Sequence, residues 1–600
     1  MNENTVKHNH DSNGQGFSKE IILNAMLESH TVAKGELYHL SPRYECTSTG
    51  VYYIGIKTDR NSGTVSEAEP LFLSDPIRLI GRGVDTQGNY YRVIEWSDRL
   101  TRQVKQAAIP QAEIGTNAGW NRLQGYGLSI MSGRLKRERL ADYLQREGES
   151  RQYSITDKAG WHGSSYILPS GDIISPDKRP PIIYQGDKSQ AAAYAPSGTL
   201  AQWQADIARY AAGNSRLCLA LGTAFAAPLL SLLNEESGGF HIYGDSSEGK
   251  TIASFVGLSV WGHPNEIKLP WRGTDLGFSN AALARNDNLL VLDEIGEADP
   301  KVISKTAYSV INGKSKIQGA KDGGNKASNK WRILLFSTGE YNMKNYMDLA
   351  GERWEAGQAV RLPSIPAATQ YGIYETLHGF SDGALLSEHL KEAAERHHGE
   401  AGRAFIRLID TNTPAATQER VSAFMATLPH LSGQARRVAK RFALCAAALE
   451  LAAPVTGLPA GVGMAGVKQC FDDWFALNGS GKHEDRMIIK QAEDFFSQTA
   501  DSVRFDNWPL PKGVKTRPDI AGYIANGINN GTEYLLIPAV FENEVCGTFH
   551  PQKVCAVLHS IGWMNKPSGK GWKVQKKQNM QHYRFYSFNG MTPPGGYSED

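Results

Sequence analysis

The sequence predicts an α/β core on a parallel, doubly wound sheet, with a β-rich domain before it, a helical segment after it and a small winged-helix-like domain at the end of the chain. Three runs predict the core. Gly239-Phe240-His241-Ile242-Tyr243 is a short buried-strand pattern leading into Gly244-x-x-x-x-Gly249-Lys250-Thr251, after which Ile252-Ala253-Ser254-Phe255-Val256 reads as the apolar start of a helix. Asn288-Leu289-Leu290-Val291-Leu292-Asp293-Glu294 ends an apolar run in two carboxylates, and Arg332-Ile333-Leu334-Leu335-Phe336-Ser337-Thr338 ends one in two hydroxyls. Continuous apolar runs of this length fit parallel strands, which are covered on both faces.

In chain order, residues 1–35 read as a polar tail with a short helix. Residues 36–195 read as the β-rich domain, because Val51–Ile56 and Tyr90–Trp96 are β-branched and aromatic runs separated by Gly and Asn turns. Within it Ser129–Leu140 is locally basic and begins a helix. Pro180-Pro181 and residues 190–198 mark a linker, and the α/β core is placed at 196–370, opening with a helix at Leu200–Ala212. Helical patterns fill 371–495. In the last segment, 496–600, Asp519–Ile524 looks helical, His550–Leu558 begins a second helix and Lys573–Phe588 alternates like a strand pair. That order suggests a winged-helix module.

The loop at Gly244 is the phosphate-cradling pattern of a nucleoside triphosphatase. Its glycines let the backbone curl so that N–H groups and a following helix N-terminus face anionic oxygens. Gly244, Asp245, Ser246, Ser247, Glu248, Gly249, Lys250 and Thr251 are therefore the predicted ATP contacts. Lys250 would meet the β- and γ-phosphates, and Thr251 would offer its hydroxyl to Mg²⁺. Asp293 would hold the Mg²⁺ shell, and Glu294 would polarise the attacking water. Ser337 or Thr338 would orient that water from the neighbouring strand. Two arginines follow in Gly351-Glu352-Arg353-Trp354 and Ala356-Gly357-Gln358-Ala359-Val360-Arg361. Arg361, and after it Arg353, is the candidate to reach a neighbouring subunit's ATP.

Between the carboxylate strand and the hydroxyl strand lies Asn312–Arg332, basic and turn-rich, with Asp322-Gly323-Gly324 as a hairpin turn. Lys314, Lys316, Lys321, Lys326 and Lys330 would make this hairpin a contact for nucleic-acid phosphates. A solvated basic loop is the plainer reading of the same charges. The C-terminal lysines at 566, 570, 573, 576 and 577 interleave with Trp563, Trp572, Tyr583 and Tyr586, a mixture suited either to nucleic acid or to a small core.

Taken together with Trp271-Arg272-Gly273-Thr274, Ser337-Thr338-Gly339-Glu340 and Ala356–Arg361, this pattern resembles the domain of unknown function 927 family. The family is an AAA+-like group found on bacterial phages, plasmids and integrative elements. Some of its members look like replicative helicases of mobile cassettes, related to minichromosome-maintenance and superfamily 3 helicases. Gly160–Pro169 is similar to the family's strand-turn signature ahead of the ATPase, and Gln434–Ala443 to its helical signature behind. The resemblance implies an AAA+-like P-loop fold and an ATP-dependent DNA helicase or translocase, acting as a hexamer-like ring on single-stranded or forked DNA. A replication initiator or loader that does not unwind, or an ATP-dependent regulatory or defence protein, would share the same nucleotide site.

Composition sets the outer bounds. At 600 residues the chain is too long for one core, and 41% hydrophobic and 21% charged residues are ordinary for a globular protein. The net charge of +2 does not advertise a nucleic-acid binder, so such a function must rest on local basic patches. Cys46, Cys218, Cys445, Cys470, Cys546 and Cys555 lack metal-ligand spacing and read as reduced, mostly buried thiols. No signal pattern or membrane-length apolar run is present, so a cytoplasmic protein without a membrane segment is expected.

Overall fold

The computed structural model describes residues 40–175, 181–298, 303, 309–316, 328–349, 351–352, 354–429, 431, 433–478, 483–499, 504–511, 517–527, 531–569 and 571–594. The chain divides into two compact units, one ending at Ile155 and one beginning at Thr156.

The first unit is mostly strand. β1 (Arg43–Cys46), β2 (Val51–Ile54) and β5 (Leu71–Ser74) form one antiparallel sheet, and β3 (Ile56–Thr58) pairs with β4 (Val65–Glu67). β6 (Arg78–Val84), β7 (Tyr90–Ser97) and β8 (Val104–Pro110) form an antiparallel meander, with β9 (Gln152–Thr156) running parallel to β6. Helices α1 (Asn117–Gly125) and α2 (Arg134–Arg146) bury Trp120, Leu123, Leu140 and Leu144 against Ile94 and Trp96 of the meander. The basic segment does become a helix, and its arginines and lysine stay at the rim of that core.

In the second unit β10 (Gly160–His162), β11 (Ser165–Ile167) and β12 (Ile173–Ile174) form a small antiparallel sheet, and β13 (Ile182–Tyr184) follows. Tyr166 and Leu168 from this region are fully buried in the same core as the central sheet. Tyr166 donates its hydroxyl to the Asp287 carbonyl at 2.7 Å, just ahead of the carboxylate strand.

The central sheet contains β14 (Gly238–Tyr243), β15 (Leu269–Pro270), β16 (Asn288–Asp293), β17 (Ile333–Gly339) and β18 (Ser364–Pro366) in the order β15-β16-β17-β14-β18. All of its pairings are parallel. Every residue of β16 and β17 is buried, which is what their unbroken apolar runs require. On one face α3 (Leu200–Asp206), α4 (Ser215–Ala226) and α5 (Lys250–Ser259) pack with the helical segment, and all twelve residues of α4 are buried. On the other face Trp271, Phe278, Trp331 and Met343 close a separate core over β16 and β17. The helical segment comprises α6 (Gly383–Arg396), α7 (Glu400–Leu408), α8 (Thr413–Ala426), α9 (Gly433–Leu451) and α10 (Val462–Asn478). The Ala-rich stretch of α9 lies at its centre, and Glu450 accepts from Gly461 and Met464 N–H groups at the start of α10.

After α11 (His483–Thr499), the C-terminal segment is built on a six-stranded sheet rather than a two-stranded ribbon. The expectation of a helix at Asp519–Ile524 is wrong. Gly522–Asn526 is a strand antiparallel to Thr532–Leu536, because Tyr523 and Ile524 alternate across a sheet face that cross-strand partners cover. The helix Pro551–Ser560 and the pair Val574–Gln578 with Gln581–Asn589 are present as expected. Trp563 and Tyr586 are buried in this segment's core, whereas Trp572 faces the Lys566 ammonium at 4.7 Å.

All six cysteines are free; five are buried and Cys46 is exposed. Burial pushes the Cys445 thiol up to about 12 and that of Cys470 to about 11, which keeps them protonated and inert. Among the described residues no helix is long and apolar enough to cross a membrane.

Candidate nucleotide site and basic hairpin

The loop from Gly244 to Gly249 joins the end of β14 to the start of α5. Gly249 sits at φ 87°, the left-handed region that glycine enters without penalty, and turns the chain into the helix. A Cβ on Gly244 would come within 1.9 Å of Glu248 Oε2, so the loop closes tightly on itself at that point. Glu248 Oε2 is buried with no hydrogen-bond partner. Lys250, only 5% exposed, donates to the carbonyls of Gly244 at 2.7 Å and Asp245 at 2.6 Å. Among the described residues no carboxylate lies within ion-pair distance of its ammonium. A nearly buried cation at a helix N-terminus, held only by neutral carbonyls, is a place that favours an anion.

The parallel register brings the end of β16 beside this loop. Asp293 Oδ1 accepts from Thr338 Oγ1 at 2.5 Å and from Thr251 Oγ1 at 3.4 Å. Thr338 Oγ1 in turn accepts from the Glu294 N–H at 3.0 Å, so one hydroxyl from β17 orients both acidic residues. Glu294 sits at φ 53°, an uncommon conformation for a side-chain-bearing residue, and its Oε1 accepts from Gly296 N–H at 3.1 Å. The hydroxyl pair therefore divides its work. Thr338 stands on the acidic pair, while Ser337 faces His241 Nδ1 at 2.8 Å and accepts from Trp271 Nε1 at 2.9 Å.

Sequence reasoning missed Lys268. Its Nζ lies 2.7 Å from Asp293 Oδ2 and 5.3 Å from the centre of the Phe255 ring on α5. The signal was the short Leu269-Pro270 edge strand, whose pairing of Pro270 with Asp293 places the preceding lysine over the carboxylate.

The Asp293 carboxylate and the Thr251 hydroxyl supply hard oxygens of the kind Mg²⁺ takes, since that ion keeps several waters and needs few protein ligands. Among the described residues no group of three His, Cys, Asp or Glu side chains could hold a metal by itself. On the far side of β14 from β16 and β17 lies a cavity of about 820 Å³, lined by Tyr243, Pro366, Thr369, Glu375, Ala465 and Asp473. The Arg216 guanidinium lines it too, and its carboxylates have partners of their own, Glu375 accepting from Ser215 N–H and Asp473 from Arg216 and Gln469.

Arg361 ends the helix Ala356–Arg361 and pairs with Glu236 at 3.3 Å, just before β14 begins. It stands at the opposite end of the strand from the loop of its own chain, about 20 Å away for six residues of strand. Beside it Arg437, Lys440 and Arg441 line a cavity of about 440 Å³. Burial pulls the Arg441 guanidinium down to about 10, with the nearby Arg361 charge adding to the effect. Arg353 lies outside the described residues.

The two ends of the basic segment meet in an antiparallel bridge between Lys314 and Lys330, with Ser315 N–H donating to the Asn329 carbonyl at 2.9 Å. Trp331 plugs the root into the core and donates its Nε1 proton to the Val310 carbonyl. Lys314 and Lys330 are exposed, whereas Lys316 pairs with Asp275 at 2.6 Å. Lys321, Lys326 and the predicted turn lie outside the described residues.

No curated protein matches this sequence. A solved structure described as the active helicase Cch of SCCmec type IV aligns with 92% of this chain and 98% of its own, at 18% identity and a TM-score of 0.66, so the two share a fold. A structure of NtrX from Brucella abortus aligns with 36% of this chain and 44% of its own at 12% identity, and its TM-score of 0.17 carries no argument. The family model for a domain of unknown function, DUF927, matches residues 44–330, which span the β-rich segment, the phosphate-type loop and the carboxylate strand. Over those residues, just under half of the chain, the sequence matches the DUF927 family model.

Proposed function

We propose that this protein is an ATP-hydrolysing DNA helicase or translocase of a bacterial mobile genetic element, working as a ring of identical subunits around single-stranded or forked DNA. The observation that carries the reading is the buried Lys250 ammonium, without a carboxylate partner among the described residues, at a helix N-terminus and beside Asp293 and Thr251. The strand order, with the loop on β14 and the acidic pair two strands away, fits an AAA+-like P-loop core. The full-length likeness in fold to a structure described as an active helicase supports the same direction.

In this reading the loop N–H groups and Lys250 hold the β- and γ-phosphates. Mg²⁺ entering with ATP supplies charge neutralisation on those phosphates, and Thr251 and Asp293 are the residues that would hold it. Glu294 orients and deprotonates the attacking water, and Thr338 fixes the direction of Asp293 and Glu294. The nucleoside extends away from Asp293, over the ends of β14 and β18, into the cavity that begins at Tyr243. Arg361 reaches the neighbouring subunit's γ-phosphate, since it is too far from its own. The hairpin rooted at Lys314 and Lys330 grips the DNA backbone, and its affinity falls steeply with salt.

The test is hydrolysis and strand displacement by the purified chain. ATP turnover that disappears in Lys250→Ala, with displacement of one strand from a forked duplex, supports the reading. Turnover without displacement moves the protein to the loaders, and no turnover at all refutes the motor.

A further inference from the structure

Both carboxylate oxygens of Asp293 are engaged by side chains. Thr338 and Thr251 occupy Oδ1, at 2.5 and 3.4 Å, and the Lys268 ammonium sits 2.7 Å from Oδ2. Lys268 arises outside the phosphate loop, at the end of the short helix Pro264–Ile267, and reaches Asp293 because β15 runs parallel to β16. Its ammonium is flanked by the face of Phe255, so it rests in a place shaped to take a cation. The side chain is 26% exposed, which leaves its flexible stem a route out to solvent.

We propose that Lys268 is a positioning residue that makes metal loading conditional on the triphosphate. With the site free of nucleotide its ammonium neutralises Asp293 and repels a divalent ion approaching the same carboxylate. When a triphosphate enters, its negative charges offer the ammonium a better partner and bring the metal with them, so Asp293 is released at the moment the metal is useful. This inference rests on the nucleotide-site reading above and adds a lysine outside the phosphate loop to its chemistry. No covalent step is involved; one ion pair is exchanged for another.

The experiment uses the full chain and Mn²⁺ as a paramagnetic probe, with the free ion followed by electron paramagnetic resonance. Without nucleotide, Lys268→Met and Lys268→Gln should bind Mn²⁺ at least ten-fold more tightly than the wild type. Lys268→Arg, which retains the charge, should behave like the wild type, and adding Asp293→Asn to Lys268→Met should abolish the gain. With a non-hydrolysable ATP analogue present, wild type and Lys268→Met should bind Mn²⁺ within about three-fold of each other, because a moved lysine no longer competes. If neither neutral variant binds Mn²⁺ alone more tightly than the wild type, the proposal is overturned. A wild type that takes up no more Mn²⁺ with the analogue than without it defeats the nucleotide-site reading instead, and leaves the nucleotide-free comparison to be judged by itself.

Discussion

His241 Nδ1 lies 2.8 Å from Ser337 Oγ across the paired strands β14 and β17, while its Nε2 lies 2.9 Å from the Tyr341 carbonyl. The carbonyl can only accept, so Nε2 carries the proton and Nδ1 accepts from the Ser337 hydroxyl, which itself accepts from Trp271 Nε1. Every polar group in this hydrogen-bonded run from Trp271 to Tyr341 is satisfied with the imidazole neutral. Burial accordingly pulls the His241 pKa down to about 4.

A pH dependence of stability follows. The unfolded imidazole takes a proton near 6.5 and the folded one only near 4, so the unfolded state binds more protons in that window. Stability is full above about pH 6.5 and falls by ~1.4 kcal/mol per pH unit on acidification, roughly 3 kcal/mol by pH 4. Thermal melts between pH 8 and pH 4 should show this loss, and His241→Gln should make it shallower, leaving what His162 and His398 contribute through the same lowering by burial. A wild-type profile with the same slope as the variant would remove His241 as the cause.

Thr338→Val keeps the shape of the β17 strand end but deletes the donor to Asp293 and the acceptor for Glu294 N–H. The acidic pair then loses its common reference point. The expected outcome in steady-state ATPase assays is a fall of about 10- to 100-fold in kcat with little change in KM, because the loop contacts are untouched. Ser337→Ala should instead act through the His241 chain, lowering the melting temperature more than kcat. Equal kinetic effects of the two substitutions would contradict this division of labour.

What the sequence made legible follows from how local each feature is. Gly244 to Thr251, Asp293-Glu294 and the two hydroxyls sit at the ends of continuous apolar runs, so strand, loop and side-chain order are written contiguously. The partner of each hydroxyl is not. Ser337 and Thr338 are adjacent and chemically similar, and only the pairing of β17 with β14 on one side and β16 on the other sends one to His241 and the other to Asp293. Lys268 was missed for the same reason, since it is 25 residues from Asp293 and reaches it through a two-residue edge strand. Asp519–Ile524 was misread because a short segment with Gly522 shows no period long enough to tell helix from strand, and cross-strand packing decided.

Arg361 offers a test of assembly. Its distance from its own loop and its Glu236 partner admit two roles, an ion pair within the chain or a contact with the next subunit's ATP. If the contact is between subunits, Arg361→Ala and Lys250→Ala are each inactive alone. Mixed one to one they restore up to roughly a quarter of wild-type turnover, because that fraction of head-to-tail interfaces joins an intact loop to an intact arginine. An Arg361→Ala protein that is active by itself assigns the residue to Glu236 only.

The last prediction concerns where the nucleoside lies. Asp293 and Thr338 fix the metal side of the loop under β16 and β17, so a triphosphate aligned with them must point its sugar towards β14 and β18. The cavity of about 820 Å³ stands there, beginning at Tyr243 one residue before the loop. Ala465 and Ala368 line it from different elements, and both are exposed, so a larger side chain at either position fills the cavity without entering a core. Ala465→Trp and Ala368→Trp should each weaken ADP binding by about ten-fold, a loss of ~1.4 kcal/mol, while tripolyphosphate binding stays within about two-fold of wild type. Calorimetric titration of both ligands reads the difference directly. Equal losses for ADP and tripolyphosphate would mean that the substitutions disturb the loop, and unchanged ADP affinity in both variants would place the nucleoside elsewhere.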